Sequence, residues 1–138
     1  STDVEDSYVA YKNGVYSVEA NTKVAAIGEN QYKTLAAAVA AAAKGDTITL
    51  LSDVNENVAI SKNLTIDGAG YKYTGNILTS NTKANFVIKN VNFVDCDAYA
   101  IKSSGAYSMT IENCTATNCG YGFLYANKTT STTTVKNV

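Results

Sequence analysis

The chain has 138 residues, 46% of them hydrophobic and 17% charged, with a formal net charge of −1, the make-up of one domain or small solenoid with an ordinary core. Its eleven cations are all lysines scattered along the chain, which excludes the clustered basic surface that nucleic acid requires. Its longest apolar run, residues 35–43, is mostly alanine and far below the roughly 20 residues of a membrane span.

Residues 8–11 and 15–18 are short alternating runs around Lys12-Asn13-Gly14, and Asn-Gly is a favoured pair for a tight hairpin turn. Residues 24–27 and 31–33 flank Gly28-Glu29-Asn30 in the same way, so residues 1–30 read as a β-hairpin segment. Thr34 then offers an N-cap hydroxyl to the helix formers of residues 35–43, with Leu35 and Val39 on one face. Lys44 and Gly45 supply the expected last-turn cation and C′ glycine. Residues 31–45 are therefore expected to form a capping helix.

From Asp46 onward short β-rich pieces follow: residues 47–51, 58–60, 64–66, then a self-similar section. Phe86-Val87-Ile88-Lys89-Asn90-Val91 aligns with Met109-Thr110-Ile111-Glu112-Asn113-Cys114 and with Thr133-Thr134-Val135-Lys136-Asn137-Val138, at offsets of 23 and 24. Leu64-Thr65-Ile66-Asp67-Gly68 fits 22 residues earlier, with Gly68 where later coils have asparagine. Such a period marks a solenoid, whose coils bury their apolar faces only against neighbours. Leucine-rich repeats have that length range, but their leucine framework is missing. The expectation is a mainly β, right-handed, single-stranded parallel β-helix over residues 46–138, with coils of 22–24 residues. Asn90, Asn113 and Asn137 should form an interior ladder of stacked amides, since Asn also tolerates left-handed backbone angles at a bend.

Tyr32-Lys33-Thr34-Leu35-Ala36-Ala37-Ala38-Val39, followed by Lys44-Gly45-Asp46-Thr47-Ile48-Thr49-Leu50 and by residues 56–66, resembles the N-terminal cap and first coils of pectin-lyase-like β-helix proteins. The resemblance covers residues 32–138. It is nearest to repeat modules of large bacterial surface proteins, where a hairpin like residues 24–28 precedes the same cap helix. It implies an extracellular or cell-surface location, bacterial or phage. It is specific for fold and poor for function, because that architecture carries many activities.

The resemblance implies, for an enzyme of that superfamily, an arginine or lysine base beside calcium-binding carboxylates, two aspartates with an arginine and glutamines, or an aspartate cluster with a histidine. This chain has no Arg and no His, and its sole glutamine is Gln31. No enzyme, cofactor or metal centre is therefore expected. Asp95 and Asp97 flank Cys96, so an inward Cys96 turns both carboxylates outward, either as solvated bend residues or as ligand contacts. Two carboxylates are too few for a calcium cage, which takes six to eight oxygens. Cys96 aligns with Cys119, and Cys114 with Val91 and Val138, so all three cysteines read as inward. They are either buried free thiols or, for Cys96 and Cys119, close enough to bond. Tyr99, Tyr107, Tyr121 and Tyr125 cluster in the last two coils and can serve as core or as a stacking surface for sugars or partner side chains.

The expected function is a non-catalytic structural or adhesive module that presents polar faces to a glycan or host-surface ligand. The alternative is the N-terminal part of a carbohydrate-active β-helix, a lyase, hydrolase or tailspike, with catalytic coils beyond Val138. Because residues 133–138 match only the opening strand of a coil, the expectation is either continuation beyond Val138 or head-to-tail stacking of subunits.

Overall fold

The structure, a computed structural model, describes residues 7–12, 15–20, 22–127 and 129–138, and side chains within 22–127 and 132–138. It is a single-stranded parallel β-solenoid of about three turns with one short helix at its N-terminal end.

Strands β1 (Ser7–Lys12) and β2 (Val15–Ala20) pair antiparallel with Tyr11 opposite Tyr16. Their expected turn residues, Asn13 and Gly14, lie outside the described residues. Strands β3 (Ala25–Ile27) and β4 (Asn30–Tyr32) form a tighter hairpin than expected, turning through Gly28 and Glu29 alone. This second hairpin is part of the solenoid: β3 also pairs antiparallel with β5 (Thr47–Leu50), Ala25 opposite Leu50. An antiparallel strand thus finishes the edge of a parallel stack, with β4 as its border.

Helix α1 (Leu35–Ala41) starts at Thr34, whose Oγ1 accepts the Ala37 N–H at 3.0 Å. Leu35, Ala38 and Val39 are buried, and the helix packs on β3, β4, β5 and the strand Val58–Ile60. It ends earlier than the sequence pattern suggests, and Gly45 is not its C′ residue. Ala42 is already extended and buried. The amides that would extend the helix are bound elsewhere: Ala43 N–H donates to Asp46 Oδ2 at 2.8 Å and Gly45 N–H to Asn63 O at 2.8 Å. Lys62 Nζ donates to the Ala42 carbonyl.

The coils are built from β5, β6 (Val54–Asn55), β7 (Val58–Ile60), β8 (Leu64–Asp67), β9 (Lys72–Thr74), β10 (Ile77–Lys89), β11 (Asn92–Val94), β12 (Tyr99–Glu112), β13 (Thr115–Thr117), β14 (Gly122–Ala126) and β15 (Thr129–Lys136). The long strands β10 and β12 each turn a corner. The first half of β10 pairs with β7 and its second half with β8; β12 pairs likewise with β14 and β15. Register shifts fall at that corner, between Thr79 and Asn85, as bulges do where a strand bends. Strands β6, β9, β11 and β13 form the separate four-stranded sheet.

Alternation along each strand sends every second residue inward, and in-register stacking turns these residues into columns. Ile48, Ile66, Ile88, Ile111 and Val135 form one, the first four almost wholly buried. Leu64, Phe86 and Met109 form a second, and Val58, Ile77, Ile101 and Leu124 a third. The Tyr73 and Phe93 rings meet edge to face at 5.4 Å in the four-stranded sheet's interior. One buried column is polar: Thr79 stacks on Ser103, and neither hydroxyl has a hydrogen-bond partner.

Coil length varies more than the repeat implies. Ile48 pairs with Ile66 only 18 residues on and Val58 with Ile77 19 on, whereas Met109 pairs with Thr133 24 on. The first coil is short because its connections are short: Ser61, Lys62 and Asn63 alone join β7 to β8, while in the next two coils β10 and β12 run continuously around that corner.

Candidate functional site

The asparagine ladder is present, and it lies outside the core. Asn113 Nδ2 donates to Asn90 Oδ1 at 3.3 Å and Asn137 Nδ2 to Asn113 Oδ1 at 3.3 Å. All three residues have positive φ, 58°, 52° and 51°, the left-handed region that Asn tolerates. Asn90 is half-buried, and Asn113 and Asn137 are exposed. This corrects the expectation of an interior ladder. The left-handed bend takes the amide to the outer corner and gives the inward place to the following residue, Val91 or Cys114, both fully buried. In the earlier coil the amide's partner is Asp67, whose Oδ1 accepts from Asn90 Nδ2 at 3.0 Å; the left-handed residue there is Ala69, φ 51°. Gly68 thus takes no part in the ladder.

A second ladder, with no counterpart in the sequence reading, occupies the next bend. Asp95 and Asn118 both have positive φ, 53° and 54°, and Asn118 Nδ2 donates to Asp95 Oδ1 at 2.8 Å. A third link joins Thr115 Oγ1 to Asn92 Oδ1 at 2.9 Å. A polar residue at matching positions 23 apart, Asn92 with Thr115 and Asp95 with Asn118, was the available signal.

Three of the four singled-out tyrosines converge. Tyr99, the first residue of β12, meets Tyr121 edge to face at 5.7 Å and Tyr125 at 5.3 Å. Tyr99 is half-buried, whereas Tyr121 is 74% and Tyr125 40% exposed. Gly122 pairs with Tyr99, and its φ of 131° belongs to glycine, so the backbone bearing Tyr121 turns beneath the Tyr99 ring. Lys102 pairs with Tyr125 and sets its Nζ 5.9 Å from that ring's centre, a cation–π contact. Leu78, 38% exposed, precedes Lys102 in the same outward file. Tyr107 does not join them. It is 51% exposed but lies past the corner, on the half of β12 that faces β15.

Asp95 and Asp97 lie in the bend that leads into Tyr99. Both are exposed, with the buried Cys96 between them, and with Asn118 and Gly120 they line a shallow open concavity. Gly120 is obligatory by close approach: a Cβ there would stand 2.4 Å from the Asp97 carbonyl oxygen. Its N–H donates to Cys96 O at 2.7 Å, and the Tyr121 N–H to Ala98 O at 3.3 Å, so carboxylates and aromatic rings share one rigid bend.

Cys96 and Cys114 are buried and Cys119 is half-buried against the core; all three are free thiols. Burial pushes the Cys96 thiol up to about 11 and raises Cys114 as well. Low-pKa nucleophile chemistry therefore does not belong to either. The arrangement is suited to binding: exposed aromatic faces, two outward carboxylates and one lysine on a frame stiffened by stacked amides. No protein-family model, no curated protein and no solved structure matches the chain.

Proposed function

We propose that the chain is a non-catalytic structural and adhesive module of a secreted or cell-surface protein, and that its ligand is a glycan held on the Tyr99, Tyr121 and Tyr125 face. The observation that carries this reading is the convergence of three tyrosine rings, two of them substantially exposed, on one flank of a rigid solenoid. Soluble proteins rarely leave clustered aromatic surface uncovered without a partner. A tyrosine ring offers an apolar face to the C–H side of a sugar while its hydroxyl stays wet. Asp95 and Asp97 supply acceptors for sugar hydroxyls at the edge, and Lys102 supplies a donor. The likeness of residues 32–66 to the first coils of pectin-lyase-like proteins agrees with a surface location and leaves the ligand open.

A glycan array probed with the purified chain tests this, followed by titration of any hit with the Tyr121→Ala and Tyr125→Ala variants. Each ring is exposed, so both variants should fold, and each should weaken binding about tenfold, the loss typical of one aromatic contact. Undiminished binding by the double variant would refute the assignment of this face.

A further inference from the structure

Cys96 and Cys119 belong to successive coils at equivalent positions. Val94 pairs with Thr117, Asn118 Nδ2 holds Asp95 Oδ1 at 2.8 Å, and the Gly120 N–H holds the Cys96 carbonyl at 2.7 Å. The register is therefore fixed on both sides of the two cysteines. Their thiols also share an orientation: Cys96 Sγ approaches Val94 O at 3.7 Å, and Cys119 Sγ approaches Thr117 O at 3.9 Å, each the carbonyl two residues before its own sulfur. Neighbouring strands in a sheet lie about 4.8 Å apart, inside the Cα range of a disulfide. Cys96 is 2% exposed, at the floor of the open concavity that it lines with Asp95, Asp97, Asn118 and Gly120, whereas Cys119 is half-buried in the next coil. Cys119 is thus the more exposed thiol of the pair and Cys96 the more buried one. Cys114 is fully buried and donates toward Ile88 O and Glu112 O.

We propose that Cys119 and Cys96 form a thiol–disulfide exchange site that takes a small disulfide as its oxidant and closes into a bond between adjacent coils. Cys119, as thiolate, attacks one sulfur of the small disulfide; a mixed disulfide forms on Cys119 and one small thiol leaves. Cys96 then loses its proton to solvent and attacks the Cys119 sulfur, forming the Cys96–Cys119 bond and expelling the second small thiol. The protein loses two hydrogens and two electrons, and the small disulfide is reduced to two thiols. Both side chains need only rotate away from their carbonyl contacts, because the backbone is already held in register. The second step quickens with pH, since burial holds the Cys96 proton up to about 11. The proposal does not rest on the glycan reading, although the two cysteines sit in the same bends as Asp95, Asp97 and Tyr121.

The test is peptide mapping of the native chain after incubation with oxidised glutathione at pH 8 and quenching with an alkylating agent. The expected product is one cross-linked peptide pair joining Cys96 and Cys119, with Cys114 alkylated only after denaturation. Cys96→Ser should stop at a glutathione adduct on Cys119. Cys119→Ser should react at least roughly tenfold more slowly than the native chain, since reactivity follows exposure. A stable glutathione adduct on Cys119 in the native chain, with Cys96 still a thiol, would overturn the proposal. So would a bond that includes Cys114, or equal reaction rates for Cys119→Ser and the native chain.

Discussion

Glu56 and Leu35 are 21 residues apart in sequence and bound together in space: Glu56 Oε2 accepts the Leu35 N–H at 2.8 Å, while Oε1 accepts that of Ala36 at 3.2 Å. The first amides of a helix have no partner within it, and a carboxylate placed there gains from both the hydrogen bonds and the helix dipole. The cap helix is therefore tied to the loop between β6 and β7. Glu56→Ala should lower stability by about 1–2 kcal/mol, as the loss of charged hydrogen bonds at a half-exposed site implies, and Glu56→Gln by roughly half that. Urea unfolding measures both, and identical midpoints for Glu56→Ala and the native chain would contradict the tie.

Asn113 carries two separable roles, a left-handed backbone and a rung of the ladder. Asn113→Gly keeps the backbone and removes the rungs, so it should cost about 0.5–1.5 kcal/mol. Asn113→Leu loses both and should cost about 1–2 kcal/mol more, because a branched residue resists positive φ. Thermal unfolding of the two variants separates the roles. Equal losses would mean that the backbone angle contributes nothing.

The buried hydroxyls of Thr79 and Ser103 have no partner, so each lowers stability relative to an apolar group of its shape. Thr79→Val should raise stability by about 1 kcal/mol. Destabilisation of that size in denaturant would show that the hydroxyl is bonded, most simply through an enclosed water.

Alkaline pH should unfold the chain from within. Burial, with Glu56 and then Cys96 adding to it, holds the Tyr73 phenol above its ordinary 10.0, and burial pushes the Cys96 thiol up from 9.0 to about 11. Each folded-state value lies above the unfolded one, so each group's contribution is fully present below the unfolded value and fades as pH rises toward the folded value. Stability should stay level through neutral pH and decline above roughly pH 9 to 10, the unfolded values of the two groups. Tyr73→Phe should decline less steeply there, losing at neutral pH only a long 3.4 Å bond to Asn76 O. A steeper alkaline decline in Tyr73→Phe would refute the assignment.

Period was legible in the sequence because the inward columns and the asparagine bends both repeat it. Ile66, Ile88 and Ile111 recur with Asn90 and Asn113 in fixed phase, and that phase is the register of the sheet. Direction was not legible at the bends. A left-handed residue redirects its side chain, so the same spacing serves an interior or an exterior ladder, and only the burial of Val91 and Cys114 decides. The Glu56 cap and the antiparallel pairing of Ala25 with Leu50 each join single residues once. A contact made once leaves no periodic trace. Tyr107 shows the converse: close in sequence to Tyr99, it is parted from it by the corner in β12.

The unequal coil lengths bear on how the stack assembles. Each parallel pairing closes a loop of 18 to 25 residues, from Ile48 with Ile66 to Ser80 with Gly105. The length-dependent part of closing such a loop is about 2.7 kcal/mol, and it differs by only about 0.3 kcal/mol between the shortest and the longest. A new coil therefore meets nearly the same entropic barrier wherever it adds, and each completed layer is the template for the next. Assembly is a one-dimensional growth process, insensitive to a few residues more or less at a corner and sensitive to any change that breaks an inward column.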